Sequence, residues 1–404
     1  MKTLFNLPRP VWLLGWVSFF TDTASEIVYP LLPIFLTRVL GAGAMSLGII
    51  EGTAEAANSV LKIWSGYFAD KTGAPKRLVL AGYGLSSAVR PLIAFTTGWP
   101  QVLGVRFADR LGKGIRGAPR DAMLAVFAGT ANRGLVYGFH RAMDHAGAVL
   151  GPLLASAFLY FYPGEYRTLF ALTIIPGVIV IIILARVPEP TTTRKSQPLT
   201  PTPDGSTRMW VTVAAGGFLG LPRDLYRAFL VILVFSLGNA SDAFLLLRLS
   251  DLGVATFWIP LLWSALHVVK STASVAGGHL SDRLGRRHVI ALGWAVYAAV
   301  YGAFAVFNAP AIVIAVFLIY GLYFGLTEGV ERAWVADLAA PAVRGTAFGV
   351  YNAVLGLGSL AASLLFGAIW TRVSPPAAFS TGAVLAGLAT VLLYLVGPRP
   401  TPAH

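Results

Sequence analysis

The sequence predicts an all-α membrane protein: twelve transmembrane helices in two pseudo-symmetric six-helix bundles. Three observations predict it. Of 404 residues, 56% are hydrophobic and only 12% charged, with a mean hydropathy of +0.70, whereas soluble domains carry about 25% charged residues. Apolar runs of about 20 residues, long enough to cross a bilayer as a helix, recur from end to end. The two halves of the chain also resemble each other at an offset of about 212 residues. A β-barrel would show short alternating segments instead.

The apolar runs place spans at 11–38, 43–69, 77–97, 101–125, 134–161 and 167–186, then at 223–248, 255–280, 287–307, 310–336, 344–371 and 376–396. The first run is not a cleavable signal, because it is too long and contains Asp22 and Glu26. Between the sixth and seventh runs lies PEPTTTRKSQPLTPTPDGSTR, whose Pro, Thr and charge make it a linker. The chain therefore divides into an N-terminal bundle (1–187), a cytoplasmic linker (188–222) and a C-terminal bundle (223–404). Within the linker, MWVTVAAGGFLG (209–220) is apolar but short and Gly-rich, and is expected to lie at the interface rather than span.

The net charge is +13. Nucleic acid is excluded as a partner, because the basic residues are scattered through the loops between spans. They favour alternate loops: Lys71, Lys76, Arg77, Arg133, Arg194, Lys195, Arg283, Arg286, Arg287 and Arg344 on one side, against Arg38, Arg167 and Arg372 on the other. The positive-inside rule then puts both termini and the linker in the cytoplasm of a cell whose inner membrane holds the chain. There is no cysteine, so disulfides and thiolate metal sites are impossible.

The internal repeat is specific. GYFADKTGAPKR (66–77) matches GHLSDRLGRRH (278–288), with Asp70 over Asp282 and Gly73 over Gly285. Gly117 and Arg120 fall over Gly329 and Arg332, RGLVYG (133–138) over RGTAFG (344–349), and TASE (23–26) matches NASD (239–242). Related halves of six spans are what alternating-access transporters are built from. The duplicated loop, the central linker and the twelve spans together resemble the major facilitator superfamily over the whole chain. The resemblance implies secondary active transport, no enzymatic activity, no cofactor, and a monomer in the bilayer. It also implies that spans one, four, seven and ten line a central cavity, and that the duplicated loop is a cytoplasmic gate. Gly66, Asp70, Arg77, Gly278, Asp282 and Arg286 are its candidate residues. The two outer glycines are expected to permit close helix packing.

The buried charges fall where that arrangement needs them. A charge at the bilayer centre costs roughly 2.5–3.5 kcal/mol on insertion scales and normally faces a cavity or bundle interior. Spans six, nine and twelve lack core charges and span three has only Arg90, so these are expected to face lipid. Span four instead carries a stripe. At 100° per residue, Arg106, Asp109, Arg110, Lys113, Arg116, Arg120 and Asp121 share an arc of about 140°. Gly112, Gly114 and Gly117 thin this helix, and Pro119 is expected to kink it. Asp22 and Glu26 in span one, Glu51, Glu55, Asn58 and Lys62 in span two, and His140, Arg141, Asp144 and His145 in span five can answer the stripe. The C-terminal half is sparser, with Asp242, His267, Lys270, Glu328, Glu331 and Arg332.

From this set the candidates for binding substrate are Asp22, Glu26, Arg106, Arg110, Lys113, Asp242, Glu328 and Arg332. Proton coupling needs a carboxylate or His whose surroundings change between conformations, and Glu26, Glu51, Glu55, His140 and Asp144 have the type and place. Arg116, Arg120 and Asp121, nearer the cytoplasmic end, are candidates for gating ion pairs. Gly147, Gly151 and Pro152 form G-x-x-x-G-P in span five, which resembles the motif of proton-coupled antiporters in the superfamily and implies export of a small organic solute. A bent, closely packed helix explains the same three residues. An importer of an anionic small molecule, coupled to protons or another cation, fits the basic stripe equally. A transition-metal transporter using His140, Met143, Asp144 and His145 lacks the soft ligands that Cu(I) needs. A non-transporting sensor would require an output domain, and none is expected after PRPTPAH.

Overall fold

The computed structural model describes residues 7–72, 75–128, 133–189, 221–339 and 344–398, without the side chains at 63, 66–72, 125, 128, 133–135, 138, 275, 282 and 344–346. Among the described residues every regular element is helical. The expected interfacial segment at 209–220 lies outside the described residues.

Each of the twelve expected spans is a helix or a pair of helical pieces. In the first bundle these are α1 (Arg9–Val28), α2 (Ala44–Thr72), α3 (Pro75–Val89, continued by a 3₁₀ stretch over Arg90–Phe95), α4 (Trp99–Ala128), α5 (Arg133–Phe161) and α6 (Tyr166–Leu172 with Ile174–Ala185). In the second they are α7 (Arg223–Gly238 with Ala243–Asp251), α8 (Trp258–Leu284), α9 (Arg286–Val306), α10 (Pro310–Leu338), α11 (Arg344–Arg372) and α12 (Pro375–Leu395). Beyond Val28 the α1 axis tightens to a 3₁₀ turn at Tyr29–Leu31 and widens to a π turn at Phe35–Val39. Pro30 and Pro33 remove two backbone donors there, which is why the regular ladder stops.

One further local feature departs from the expected continuous helices. The seventh span is interrupted at 239–242, where Asn239, Ser241 and Asp242 offer side-chain groups that compete for the backbone. Gly285 has a φ of 85° and makes the whole turn between α8 and α9. Only glycine takes that conformation without strain, which explains this glycine of the duplicated loop.

The halves repeat one packing scheme. α1 packs on α5 and α6, α2 on α4, and α3 on α4 and α6; in the same way α7 packs on α11 and α12, α8 on α10, and α9 on α10 and α12. The halves meet along α2 against α11 and α5 against α8. Eight of the described spans are apolar enough to be recognised from hydropathy alone. The remaining four, α1, α2, α4 and α8, carry most of the interior charge. Lipid-facing apolar residues such as Ile175, Val178 and Ile182 on α6 and Val384, Leu388 and Val391 on α12 are exposed, as the charge pattern requires.

Candidate functional site

Glycines set the distance between helices. A Cβ at Gly147 would meet the Phe19 carbonyl, and one at Gly151 would meet that of Thr23. The G-x-x-x-G-P segment therefore presses α5 onto α1. Gly48 does the same across the halves, against the Ser363 carbonyl of α11. Gly112 touches Gly82 and Ser86 of α3, while Gly114 touches Leu61 and Asn58 of α2. Gly112 and Gly114 thus admit neighbouring helices, whereas a Cβ at Gly117 would meet only the Lys62 side chain at 4.0 Å. Gly278 departs from the expectation, since a Cβ there would meet nothing within 4 Å among the described residues. The close approach belongs to its neighbour, Gly277, against the Gly325 backbone of α10.

With the helices placed, the α4 stripe divides. Arg106 is buried and donates to Glu51 Oε1 from Nε at 3.1 Å and Nη2 at 2.7 Å. Asp109 accepts from Arg90 at 2.9 Å, and Arg90 also reaches the Thr21 carbonyl at 3.4 Å. Arg90 therefore turns inward and does not face lipid. Arg116 is buried against α3, donating to Ser86 at 2.7 Å with its guanidinium 4.4 Å from the Tyr83 ring centroid. Arg120 bonds its own neighbour, Asp121, at 2.9 Å. Arg106, Arg116 and Arg120 thus have partners within the first bundle. Arg110 lies 3.9 Å from Asp109 Oδ2, and Lys113 is exposed. Glu55 accepts from Asn58 at 3.1 Å and lies within electrostatic reach of Arg110, Lys62 and Lys113.

On α1 and α5, Asp144 accepts a hydrogen bond from Ser18 and sits 3.5 Å from His140 Nδ1 and 3.8 Å from Arg141. Asp22 lies within electrostatic reach of Asp144, Lys113, Arg116 and Glu26. His145 points elsewhere, into a cleft of about 400 Å³ between α5 and α8 that His267 also lines. The His140–His145 set therefore diverges, and among the described residues no three His, Cys, Asp or Glu side chains gather as a metal site.

In the second bundle, Asp242 stands at the break of α7. Tyr320 donates to its Oδ1 at 2.7 Å, and the Lys270 ammonium lies 3.5 Å from its Oδ2. Glu331 is buried and accepts from Trp294 at 2.9 Å and Tyr351 at 3.1 Å. Glu328 and Arg332 are exposed and 3.8 Å apart. Of the loop residues, Arg77 is exposed, and Arg286 donates to Ser281 at 2.6 Å and to Asp337 at 3.3 Å. The packing at Gly66 and the side chains of Asp70 and Asp282 lie outside what the structure describes. The sequence marked Lys270 and Glu331 as interior charges but named no partner for either. For Lys270 the signal was the spacing of Trp263, His267 and Lys270, which puts an aromatic, a His and a cation on one helix face.

Across the halves, Glu26 accepts from the Trp263 indole at 2.7 Å, and the Tyr29 and Ser241 hydroxyls are 3.3 Å apart. Ser264 donates to the Val149 carbonyl at 3.0 Å, Ser156 to that of Phe257 at 2.7 Å, and Arg38 to that of Ser250 at 3.0 Å. These contacts all lie from the level of Glu26 towards the end that carries the α1–α2 and α7–α8 connections. Towards the opposite end, Lys62, Lys113, Arg141, His145, Glu328 and Arg332 are exposed. The bundles are thus closed together at one end and parted at the other, with Glu26, Asp242 and Trp263 at the closed floor.

The sequence and this geometry agree with known proteins. The Major Facilitator Superfamily model matches residues 14–327 and 261–404. An uncharacterised MFS-type transporter of Methanocaldococcus jannaschii is 33% identical over 398 residues, covering 97% of this chain and 96% of that one. The cis,cis-muconate transport protein of Acinetobacter baylyi is 25% identical over 304 residues, covering 72% and 70%. Among solved structures, the nucleoside transporter NupG aligns with a TM-score of 0.76 at 13% identity, covering 96% of this chain and 99% of that chain. Two repeated six-helix bundles, parted at one end around a charged interior, with a family match across the chain, make this protein a member of the Major Facilitator Superfamily, a multi-pass membrane transporter rather than an enzyme.

Proposed function

We propose that the chain is a proton-coupled exporter of a small organic solute, working as a monomer in the cytoplasmic membrane with both termini and the parted end in the cytoplasm. One observation carries the coupling. Glu26 of α1 holds the Trp263 indole of the other bundle at 2.7 Å. That bond exists only while the bundles are closed at the Glu26 end. When they part there, the carboxylate loses a donor and meets water, which is the change of surroundings that proton coupling needs. Export is supported by the resemblance of Gly147, Gly151 and Pro152 to the antiporter motif, while the glycines' contacts with Phe19, Thr23 and Glu26 on α1 are equally those of a closely packed helix. An organic cargo is supported by the relative named for cis,cis-muconate transport. Glu26 is assigned to the proton, and substrate contacts to Asp22, Arg110, Lys113 and Asp242, with Glu328 and Arg332 at the mouth.

The test uses proteoliposomes and a ligand found by thermal unfolding, since a ligand of the folded state raises the midpoint. Glu26→Gln should abolish solute-driven proton flux and preserve solute exchange. Normal proton flux in this variant removes Glu26 from the coupling step.

Import of an anion is the second reading, and Arg110 and Lys113 favour it. Arg110 lies 3.9 Å from Asp109 Oδ2 and within electrostatic reach of Glu51 and Glu55, with no side-chain hydrogen bond among the described residues, and Lys113 is exposed. If this reading holds, Arg110→Gln weakens anionic ligands at least tenfold more than neutral ones. Equal weakening makes Arg110 structural.

A further inference from the structure

The Lys270 ammonium sits in a cage. Its Nζ is 3.3 Å from the ring centroid of Phe324 on α10, 5.2 Å from that of Trp263 on α8, and 3.5 Å from Asp242 Oδ2 at the break of α7. Tyr320 holds the other Asp242 oxygen at 2.7 Å and so fixes the carboxylate. The cage lies on the seam between the bundles, because Trp263 also bonds Glu26 and packs against Tyr29 with ring centroids 5.1 Å apart. The side chains of Lys270 and Asp242 keep 15% and 16% of their surface exposed, so the cage is open to the space between the bundles.

Two aromatic faces and a carboxylate around an ammonium are the constellation that recognises organic cations. In this conformation the cation is tethered to the protein. We propose that the cage is the binding site for the ammonium group of a cationic organic solute, and that Lys270 is its built-in competitor. The inference rests on the transport reading for the word solute and adds the chemical class.

Without solute, Lys270 neutralises Asp242, which spares a half-sequestered carboxylate from standing without a counter-charge. When solute arrives, its ammonium takes the place between the rings, and the flexible four-carbon stem lets Lys270 swing away. The rings of Tyr29 and Trp263 then flank the solute's apolar body. An anion finds no such match, since the electron-rich ring faces and the carboxylate repel it, and the one cation of the cage is already paired.

The experiment measures binding at equilibrium on the purified full-length protein, with benzyltrimethylammonium as probe and benzoate as its anionic counterpart. Calorimetry should find weak binding of the cation by the wild type and at least tenfold tighter binding by Lys270→Met, which removes the competitor and keeps the stem. Adding Phe324→Leu to that variant should lose about tenfold, and benzoate should bind neither. The proposal is overturned if Lys270→Met binds the cation no tighter than wild type, or if benzoate binds wild type and is lost in Lys270→Met. Should Lys270→Met not fold, the wild type supplies the same decision. Saturating probe should expel Lys270 and speed its acetylation by an amine reagent, read by mass spectrometry, and an unchanged or slower rate overturns the proposal. No gradient is present in these measurements. Binding of the cation without its exchange across a membrane would therefore overturn only the transport reading.

Discussion

Arg106 and Glu51 form an ion pair at a place that looks like a binding site. Both are almost fully buried, and two hydrogen bonds join them between α2 and α4. Removing one partner leaves the other charge buried and unmatched, which costs about 3–5 kcal/mol. Glu51→Gln should therefore lower the thermal unfolding midpoint sharply, and a Glu51→Gln, Arg106→Met pair should recover much of it. An unchanged midpoint with loss of proton flux would instead return Glu51 to the coupling step. Arg110 differs from Arg106 by one turn of the same helix, yet it lacks a short partner. Spacing along α4 made these two residues equivalent, and only the position of Glu51 on a neighbouring helix separated them.

Helices approach one another where small residues allow it. Gly147 meets the α1 backbone directly, so a branched side chain there must push α5 away. Overpacking of this kind costs roughly 1–3 kcal/mol. Gly147→Val should accordingly lower the unfolding midpoint, whereas Gly278→Ala should leave it equal or slightly higher, because Ala is the better helix former and its Cβ meets open space. Parallel losses in both variants would refute the assignment of Gly147 to the α1–α5 contact. The break in α7 belongs to the same scale. The NASD segment was visible as a repeat of TASE, but TASE lies within an unbroken α1 and NASD interrupts α7. Repeat-related segments need not share local geometry when their neighbours differ, and here Tyr320 and Lys270 engage the Asp242 carboxylate at the break.

At the scale of the whole molecule, the two bundles form a pair of levers closed at one end. The absence of cysteine makes this directly measurable. Cysteines placed at Gly52 and Leu360, which face each other between α2 and α11 at the closed end, should cross-link readily without solute. Cysteines at Lys113 and Arg332, exposed towards the parted end, should not. The reverse pattern on a non-reducing gel would mean that the resting protein is open at the other end. An impermeant thiol reagent applied to vesicles of known orientation should reach the Lys113 site from the cytoplasmic face alone, which tests the orientation given by the basic loops.

The sequence by itself determined the class of fold, the number and order of spans, the repeat and the family. Each follows from local properties: a run of apolar residues long enough for the bilayer, a charge that lipid will not tolerate, and a loop motif that occurs twice. It also drew the charged stripe of α4 and the small-residue face of α5. What only the tertiary structure decided is which charges neutralise each other and which remain available. Arg90, expected to face lipid from its span, is the partner of Asp109, and Lys270 completes its aromatic cage with Trp263 on its own helix by taking Phe324 from α10, more than fifty positions away. The physical reason is that an interior charge is defined by its partner, and in a helical bundle that partner stands on another helix.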